Sequence, residues 1–245
     1  MALVFKLTMQ AIILCGGLST RLGNITREIP KVLLRVGDET LLSHQINLLK
    51  SVNLTEVVLA SGHLHEILYK SVGCEYQGVN ISYAKEEEKL GTGGAIKNAM
   101  KHVSSDPFFV LNGDVLIQNF DLHQMINKQE KIERDIGRAL DGLLMSTFVD
   151  DVSDYGEIVS DDSGKIVNFK EKQRELRSGY INGGIYLFRN SISNYFPDEN
   201  TFSIERDIFP TVSYLYSLQT RVDLIDVGVP ERLAYAREKF STYDQ

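Results

Sequence analysis

Gln10-Ala11-Ile12-Ile13-Leu14-Cys15-Gly16-Gly17-Leu18-Ser19-Thr20-Arg21-Leu22-Gly23, followed after a spacer by Glu28-Ile29-Pro30-Lys31, is the stretch that decides how this chain folds. Ala11 to Leu14 is a short, Ile-rich apolar run, the pattern of a strand buried on both faces of a parallel sheet. The run breaks at Gly16-Gly17, where the backbone turns sharply and no side chain blocks a ligand. Ser19, Thr20 and Arg21 then offer two hydroxyls and a guanidinium beside exposed backbone N–H groups. Lys31 adds a second cation behind the stiff Pro30. That set of donors suits a polyanion such as a triphosphate.

Two common nucleotide motifs are absent. No Gly-Lys-Ser/Thr follows the glycines, so the loop is not a Walker A loop, and Gly16 to Leu22 does not spell the dinucleotide fingerprint. The chain has 245 residues, enough for one large α/β domain, and it is 43% hydrophobic and 24% charged. A net charge of -7 argues against non-specific binding to nucleic acid or to an anionic membrane. It also makes the cations of the first loop stand out from their surroundings. Two cysteines, Cys15 and Cys74, fit a reducing compartment without a disulfide framework. Residues 1–9 read as a frayed leader too short and too interrupted to span a bilayer, so the expected location is the cytoplasm.

Outward from the loop, apolar runs and helical patterns alternate. A strand is expected at 32–36, a helix at 41–49, strands at 57–60 and 81–84 with a helix at 64–71 between them, and a strand at 107–111. This alternation predicts a mostly parallel, doubly wound sheet with helices on both faces. His63 and His65 have no third ligand nearby and read as ordinary loop histidines. Lys89-Leu90-Gly91-Thr92-Gly93-Gly94-Ala95 is a second glycine loop, whose glycines let backbone approach a planar ligand and which opens a helix with an anion-favouring N-terminus. Glu86-Glu87-Glu88 before it reads as a solvated face, one member of which could read the amino groups of a base. Asn112-Gly113-Asp114 lies at the carboxyl end of an apolar strand, where open α/β sheets bind ligands.

After a charged helix expected at 122–140, strands at 143–149, 156–160, 165–170 and 180–188 follow one another without helices. That predicts a smaller antiparallel extension of one continuous domain. The functional boundary is soft and falls near Leu140, with the first loop's half at 10–140 and a half for a second substrate at 141–240. Ser203 can cap a short helix. A last strand is expected at 221–227, ending near Asp226, before a helix at 231–239.

The first loop closely resembles the signature of the sugar-1-phosphate nucleotidyltransferases, Gly-Gly-x-Gly-Thr-Arg-Leu, a spacer and Pro-Lys. Ser19 stands where that family usually has its third glycine, and Val32 replaces a frequent proline. Leu90 to Ala95, Tyr155-Gly156-Glu157-Ile158-Val159, Phe169-Lys170-Glu171-Lys172, Ile181-Asn182-Gly183-Gly184-Ile185-Tyr186, 202–210 and Asp226-Val227-Gly228-Val229-Pro230-Glu231 resemble further family motifs, in family order. The resemblance implies a Rossmann-like fold of glycosyltransferase-A type and the reaction of an NTP with a sugar 1-phosphate to give an NDP-sugar and pyrophosphate. It implies Leu14, Gly16, Gly17, Ser19, Thr20, Arg21, Leu90, Gly91 and Thr92 for the nucleotide. Gly156, Glu171, Lys172 and Asn182 are implied for the sugar phosphate. Arg21, Lys31 and Lys172 are the implied catalytic cations, with Asp114 and Asp226 as ligands of Mg²⁺. Within the family, the motifs look most like D-glycero-D-manno-heptose 1-phosphate guanylyltransferases, then mannose 1-phosphate guanylyltransferases. Uridylyl, thymidylyl or cytidylyl transfer, a non-catalytic nucleotide-sugar-binding homologue and a homodimer stay open.

Overall fold

A computed structural model describes residues 8–17, 19–170 and 176–241. The chain runs through β1 (Met9–Leu14), β2 (Arg35–Val36), β3 (Glu39–Thr40), α1 (Leu41–Leu49), β4 (Leu54–Ser61), α2 (His65–Val72), β5 (Glu75–Tyr76), β6 (Val79–Lys85) and α3 (Gly91–Ala99). It continues with β7 (Phe108–Asn112), β8 (Val115–Ile117), α4 (His123–Ile136), β9 (Gly142–Val149), β10 (Glu157–Ser160), β11 (Ile166–Lys170) and β12 (Gly179–Phe188). The last elements are β13 (Leu215–Thr220), β14 (Leu224–Asp226) and α5 (Pro230–Ser241).

Among the described residues ten strands form one sheet along the path β11-β10-β12-β7-β1-β4-β6-β5, with β9 and β13 branching from β12. β1 lies at its centre, parallel to both β4 and β7. Its apolar run is continuous because both faces are covered. Ala11 and Ile13 join one core with Val57, Leu59, Phe109, Leu111 and residues of α1, α2 and α4. Ile12 faces the other way, with Val58, Phe108, Val110 and Ala95, Ile96 and Ala99 of α3. The result is a three-layered Rossmann-like architecture, and it sets the loops after β1 and β7 side by side, since Leu14 pairs with Asn112.

β12 joins the two parts of the sheet. Residues 185–188 run antiparallel to β7, while Ile181 pairs with Glu157 of β10. The irregularity lies at Gly183-Gly184. Gly184 has φ +69°, and a Cβ on Gly183 would collide with the Met145 side chain. From this bend the antiparallel arm β10–β11 leaves the main sheet.

Several expectations change. The strand expected at 32–36 begins instead as a 3₁₀ turn, Lys31–Leu33, because Pro30 starts a turn in which the Leu33 N–H donates to the Pro30 carbonyl at 2.8 Å. The helix expected to reach residue 140 stops at Ile136, where Gly137 takes a left-handed φ of +70°. The strand expected at 221–227 shrinks to β14, which pairs with β8 in a separate two-stranded ribbon. β13, not foreseen, pairs in parallel with β9, so the extension is not wholly antiparallel. Ser203 does cap a short helical turn, its hydroxyl accepting from the Arg206 N–H at 3.2 Å. No helix among the described residues is long and apolar enough to cross a membrane.

Candidate active site

Two cavities adjoin at Arg21, the first of them at the carboxyl ends of β1 and β7. The first, of about 420 Å³, is lined by Leu14, Gly16, Gly17, Ser19, Thr20, Arg21, Lys31, Glu86, Gly91, Thr92 and Asp114, among others. Its walls come from tight local geometry. The Gly113 N–H donates to the Leu14 carbonyl at 3.1 Å, and a Cβ on Gly113 would strike that carbonyl. Ser19 has φ 48°, the left-handed conformation that explains why a glycine is usual there. A Cβ on Gly17 would meet nothing within 4 Å, so this backbone faces open space. Lys31 Nζ lies 2.7 Å from Asp114 Oδ2. Cys15 borders the cavity as well. Its burial, reinforced by the nearby charge of Glu86, pushes the thiol far above its ordinary range, so it stays protonated and is no nucleophile.

The second glycine loop packs against the chain at 200–204, while Gly91 and Thr92 also line the first cavity. A Cβ on Gly91 would come within 2.6 Å of the Phe202 carbonyl, while one on Gly93 would strike the Phe202 ring and one on Gly94 the Asn200 carbonyl. These glycines admit the chain at 200–204. The N–H groups of Gly93 and Gly94 donate to the Phe202 carbonyl at 3.0 and 3.3 Å, so these two donors at the start of α3 are taken up within the chain. Leu90 does not line the cavity. Its N–H donates to Glu86 at 3.3 Å and its carbonyl accepts from Phe202 at 3.0 Å. The Thr92 hydroxyl donates to Glu205 Oε2 at 2.6 Å and accepts from the Ile204 N–H.

Of the three glutamates before this loop, Glu87 and Glu88 are exposed, while Glu86 is turned inward against Gly16. Burial raises the pKa of its carboxyl, and the Leu90 N–H only partly offsets this.

The second cavity, of about 600 Å³, is lined by residues from 154–232 together with Arg21. Gly156 and Asn182 face it. The Asn182 amide is already engaged within the chain, donating to the Tyr186 hydroxyl at 2.8 Å and accepting from the Gly184 N–H at 3.0 Å. Glu157 is held by Arg177 and by Lys170, whose Nζ lies 3.3 Å away. Burial pushes the Glu157 carboxyl up, but the hydrogen bonds from Arg177 and Lys170 outweigh it and hold the group below the ordinary range. Glu171 and Lys172 lie outside the described residues; β11 ends beside them, at Lys170 on the cavity wall.

Asp226 reaches the site by an unexpected route. β14 runs antiparallel to β8, so Asp226 pairs with Val115, and the Val227 N–H donates to the Asp114 carbonyl at 2.9 Å. The ribbon, not the rim of the parallel sheet, makes the two aspartates neighbours. Asp114 borders the first cavity and Asp226 the second, with Arg21 lining both. Among the described residues no three His, Cys, Asp or Glu side chains form a metal cage. Two carboxylates beside a space for phosphates fit an ion that takes one or two protein carboxylates and completes its shell from substrate and water.

Sequence reasoning left out Glu157, Lys170, Glu205 and Arg232 as lining residues. Each lies inside or beside a quoted motif, but only the fold shows which neighbours point into the cavity. Arg232 Nη1 donates to Asp226 Oδ2 at 3.0 Å.

With this geometry in hand, comparisons place the chain among known proteins. The family described as Nucleotidyl transferase matches residues 10–229. D-glycero-alpha-D-manno-heptose 1-phosphate guanylyltransferase of Campylobacter jejuni is 36% identical over 225 residues, 91% of this chain and 96% of that protein. Mannose-1-phosphate guanylyltransferase catalytic subunit beta of Drosophila melanogaster is 33% identical over 229 residues, 91% of this chain and 60% of that one. The crystal structure of HddC from Yersinia pseudotuberculosis complexed with GMP-PN superposes with a TM-score of 0.79 at 29% identity, covering 95% of this chain and 99% of that one.

Proposed function

The chain belongs to the nucleotidyl transferase family, and from that membership we propose that it makes an NDP-sugar and pyrophosphate from GTP and D-glycero-α-D-manno-heptose 1-phosphate. The observation that carries the reading is the pair of cavities meeting at Arg21, one bordered by residues between 14 and 114, the other by residues from 154 onward. In this reading the first takes the nucleotide and the second the sugar phosphate. The guanine and the heptose rest on the relatives of that name.

The chemistry needs little from protein acids and bases. An oxygen of the sugar 1-phosphate attacks the α-phosphorus of GTP, and the bond to the oxygen bridging the α- and β-phosphates breaks. Pyrophosphate leaves with that electron pair. A sugar phosphate has a second pKa of about 6, so its oxygen is already anionic at neutral pH and no general base is required. The difficulty is holding two anions in line, which calls for positioning and charge neutralisation. Arg21 lines both cavities and Lys31 the first, so in this reading Arg21 serves both phosphate groups and Lys31 the nucleotide. Lys172 follows the cavity-lining end of β11 and supplies a cation to the sugar phosphate. Asp114 and Asp226 would hold Mg²⁺, which when bound supplies charge neutralisation on the triphosphate and on the departing pyrophosphate. Glu86 accepts hydrogen bonds from the N1–H and N2–H₂ of guanine.

The test is release of pyrophosphate from GTP, ATP, UTP, CTP and dTTP against heptose, mannose and glucose 1-phosphates. GTP with the heptose phosphate should give the highest kcat/KM. Preference for mannose 1-phosphate, the substrate named for the Drosophila relative, would reassign the sugar and leave the reaction intact. Absence of pyrophosphate with every pair would make the chain a nucleotide-sugar-binding protein.

A further inference from the structure

Both aspartates of the site already carry a cation from their own chain. Lys31 holds Asp114 at 2.7 Å, and Arg232 holds Asp226 at 3.0 Å. Asp226 has a partner on each oxygen: its Oδ1 accepts the Gly228 N–H at 2.7 Å and its Oδ2 accepts from Arg232. A divalent cation approaching Oδ2 would sit beside the guanidinium, like charge against like. Arg232 therefore competes with a metal for this carboxylate.

The same guanidinium already has two further partners. Arg232 Nη2 lies 3.7 Å from Asp154 Oδ2, and the guanidinium carbon stands 4.9 Å from the centre of the Tyr155 ring, within cation–π range. Asp154, Tyr155 and Arg232 all line the larger cavity. The helix itself does not need to move. α5 is anchored through Leu233 and Ala236 against Leu22, Leu34 and Ile225, so only the long side chain shifts.

We propose that Arg232 is a positioning residue that occupies Asp226 in the substrate-free enzyme and yields it to the divalent cation, keeping its contacts with Asp154 and Tyr155. The enzyme thereby holds metal weakly until substrate phosphates add their own oxygen ligands. The inference rests on the reading of Asp226 as a metal ligand.

The test measures Mn²⁺ binding to the substrate-free protein by electron paramagnetic resonance, where no turnover is involved. Arg232→Gln should bind Mn²⁺ more tightly than the native protein, on the order of ten-fold, the scale of one charge-assisted hydrogen bond. Arg232→Met, which keeps the aliphatic stem over Tyr155, should behave alike and serves if the glutamine variant melts early. Arg232→Lys should stay near the native affinity. In an Asp226→Asn background the same Arg232→Gln change should bring no gain, since the partner is gone. Unchanged Mn²⁺ affinity in both neutral variants, or an equal gain in the Asp226→Asn background, overturns the proposal. Pyrophosphate release with the native protein tests the reaction separately, so the two readings fail independently.

Discussion

Glu86 shows how one side chain acquires a task that its neighbours lack. Glu87 and Glu88 stay in water, while Glu86 packs against Gly16 on the cavity wall. A half-buried carboxylate that accepts from the Leu90 N–H has acceptor capacity to spare, and in the proposed reading guanine brings the further donors. Glu86→Gln keeps the shape but loses the charge and replaces one acceptor with a donor. Loss of that contact should cost about 1.5–3 kcal/mol, so kcat/KM for GTP should fall roughly 10- to 100-fold while that for ATP changes little. The pH profile gives a second reading with a definite sign. Because the folded pKa is raised, the carboxyl protonates at a higher pH than an ordinary glutamate as the pH falls. The KM for GTP should therefore climb through that range in the native enzyme and stay flat in Glu86→Gln. A flat native profile together with unchanged base selectivity would remove Glu86 from the base site.

The element scale separates glycines that look equivalent in the sequence. Gly94 opens α3 and touches the Asn200 carbonyl, backbone that has no rotamer to give way. Gly94→Ala must push the 200–204 segment off the helix, at about 1–3 kcal/mol, the usual cost of overpacking. The thermal midpoint should drop by several degrees, and the Thr92–Glu205 link between the cavities should loosen with it. Gly17 lies in open space at an ordinary φ. Gly17→Ala should leave the melt unchanged and raise the KM for GTP, because the added methyl group points only at the ligand's side. Reversal of those two results, with Gly94→Ala stable and Gly17→Ala melting early, would mean that the packing assigned to α3 is wrong. The glycine motif was thus visible in the chain, but whether a glycine faces a ligand or another segment depends on what folds over it.

Across the whole molecule, Arg21 is the joint. It comes from the nucleotide-side loop but lines the larger cavity too, and a Cβ on Gly228 would stand 3.2 Å from its Nη2. Reasoning from the loop alone gives Arg21→Ala an effect on the triphosphate and Lys172→Ala one on the sugar phosphate. The geometry alters the first half of that contrast. Arg21→Ala should raise KM for both substrates and lower kcat, a loss of about 1.5–3 kcal/mol in kcat/KM for each. Steady-state kinetics with each substrate varied in turn would check it. An effect confined to GTP would return Arg21 to the nucleotide side alone.

What the sequence determined by itself is local and periodic. The unbroken apolar runs of β1, β4 and β7 demanded a sheet covered on both faces, and Gly16-Gly17 with Arg21 and Lys31 marked the end of β1 that borders the first cavity. Those features need no partner to be legible, because backbone sterics and burial act along a few consecutive residues. Tertiary structure decided whatever depends on segments meeting from afar. It placed Asp226 beside Asp114 through an antiparallel ribbon of three residues a side, a pairing too short to leave a periodic signal. It turned Glu86 inward and its neighbours outward, packed residues 200–204 onto α3, and set Arg232 on Asp226. Contacts across such separations are set by how the layers close on one another, and no spacing along the chain records them.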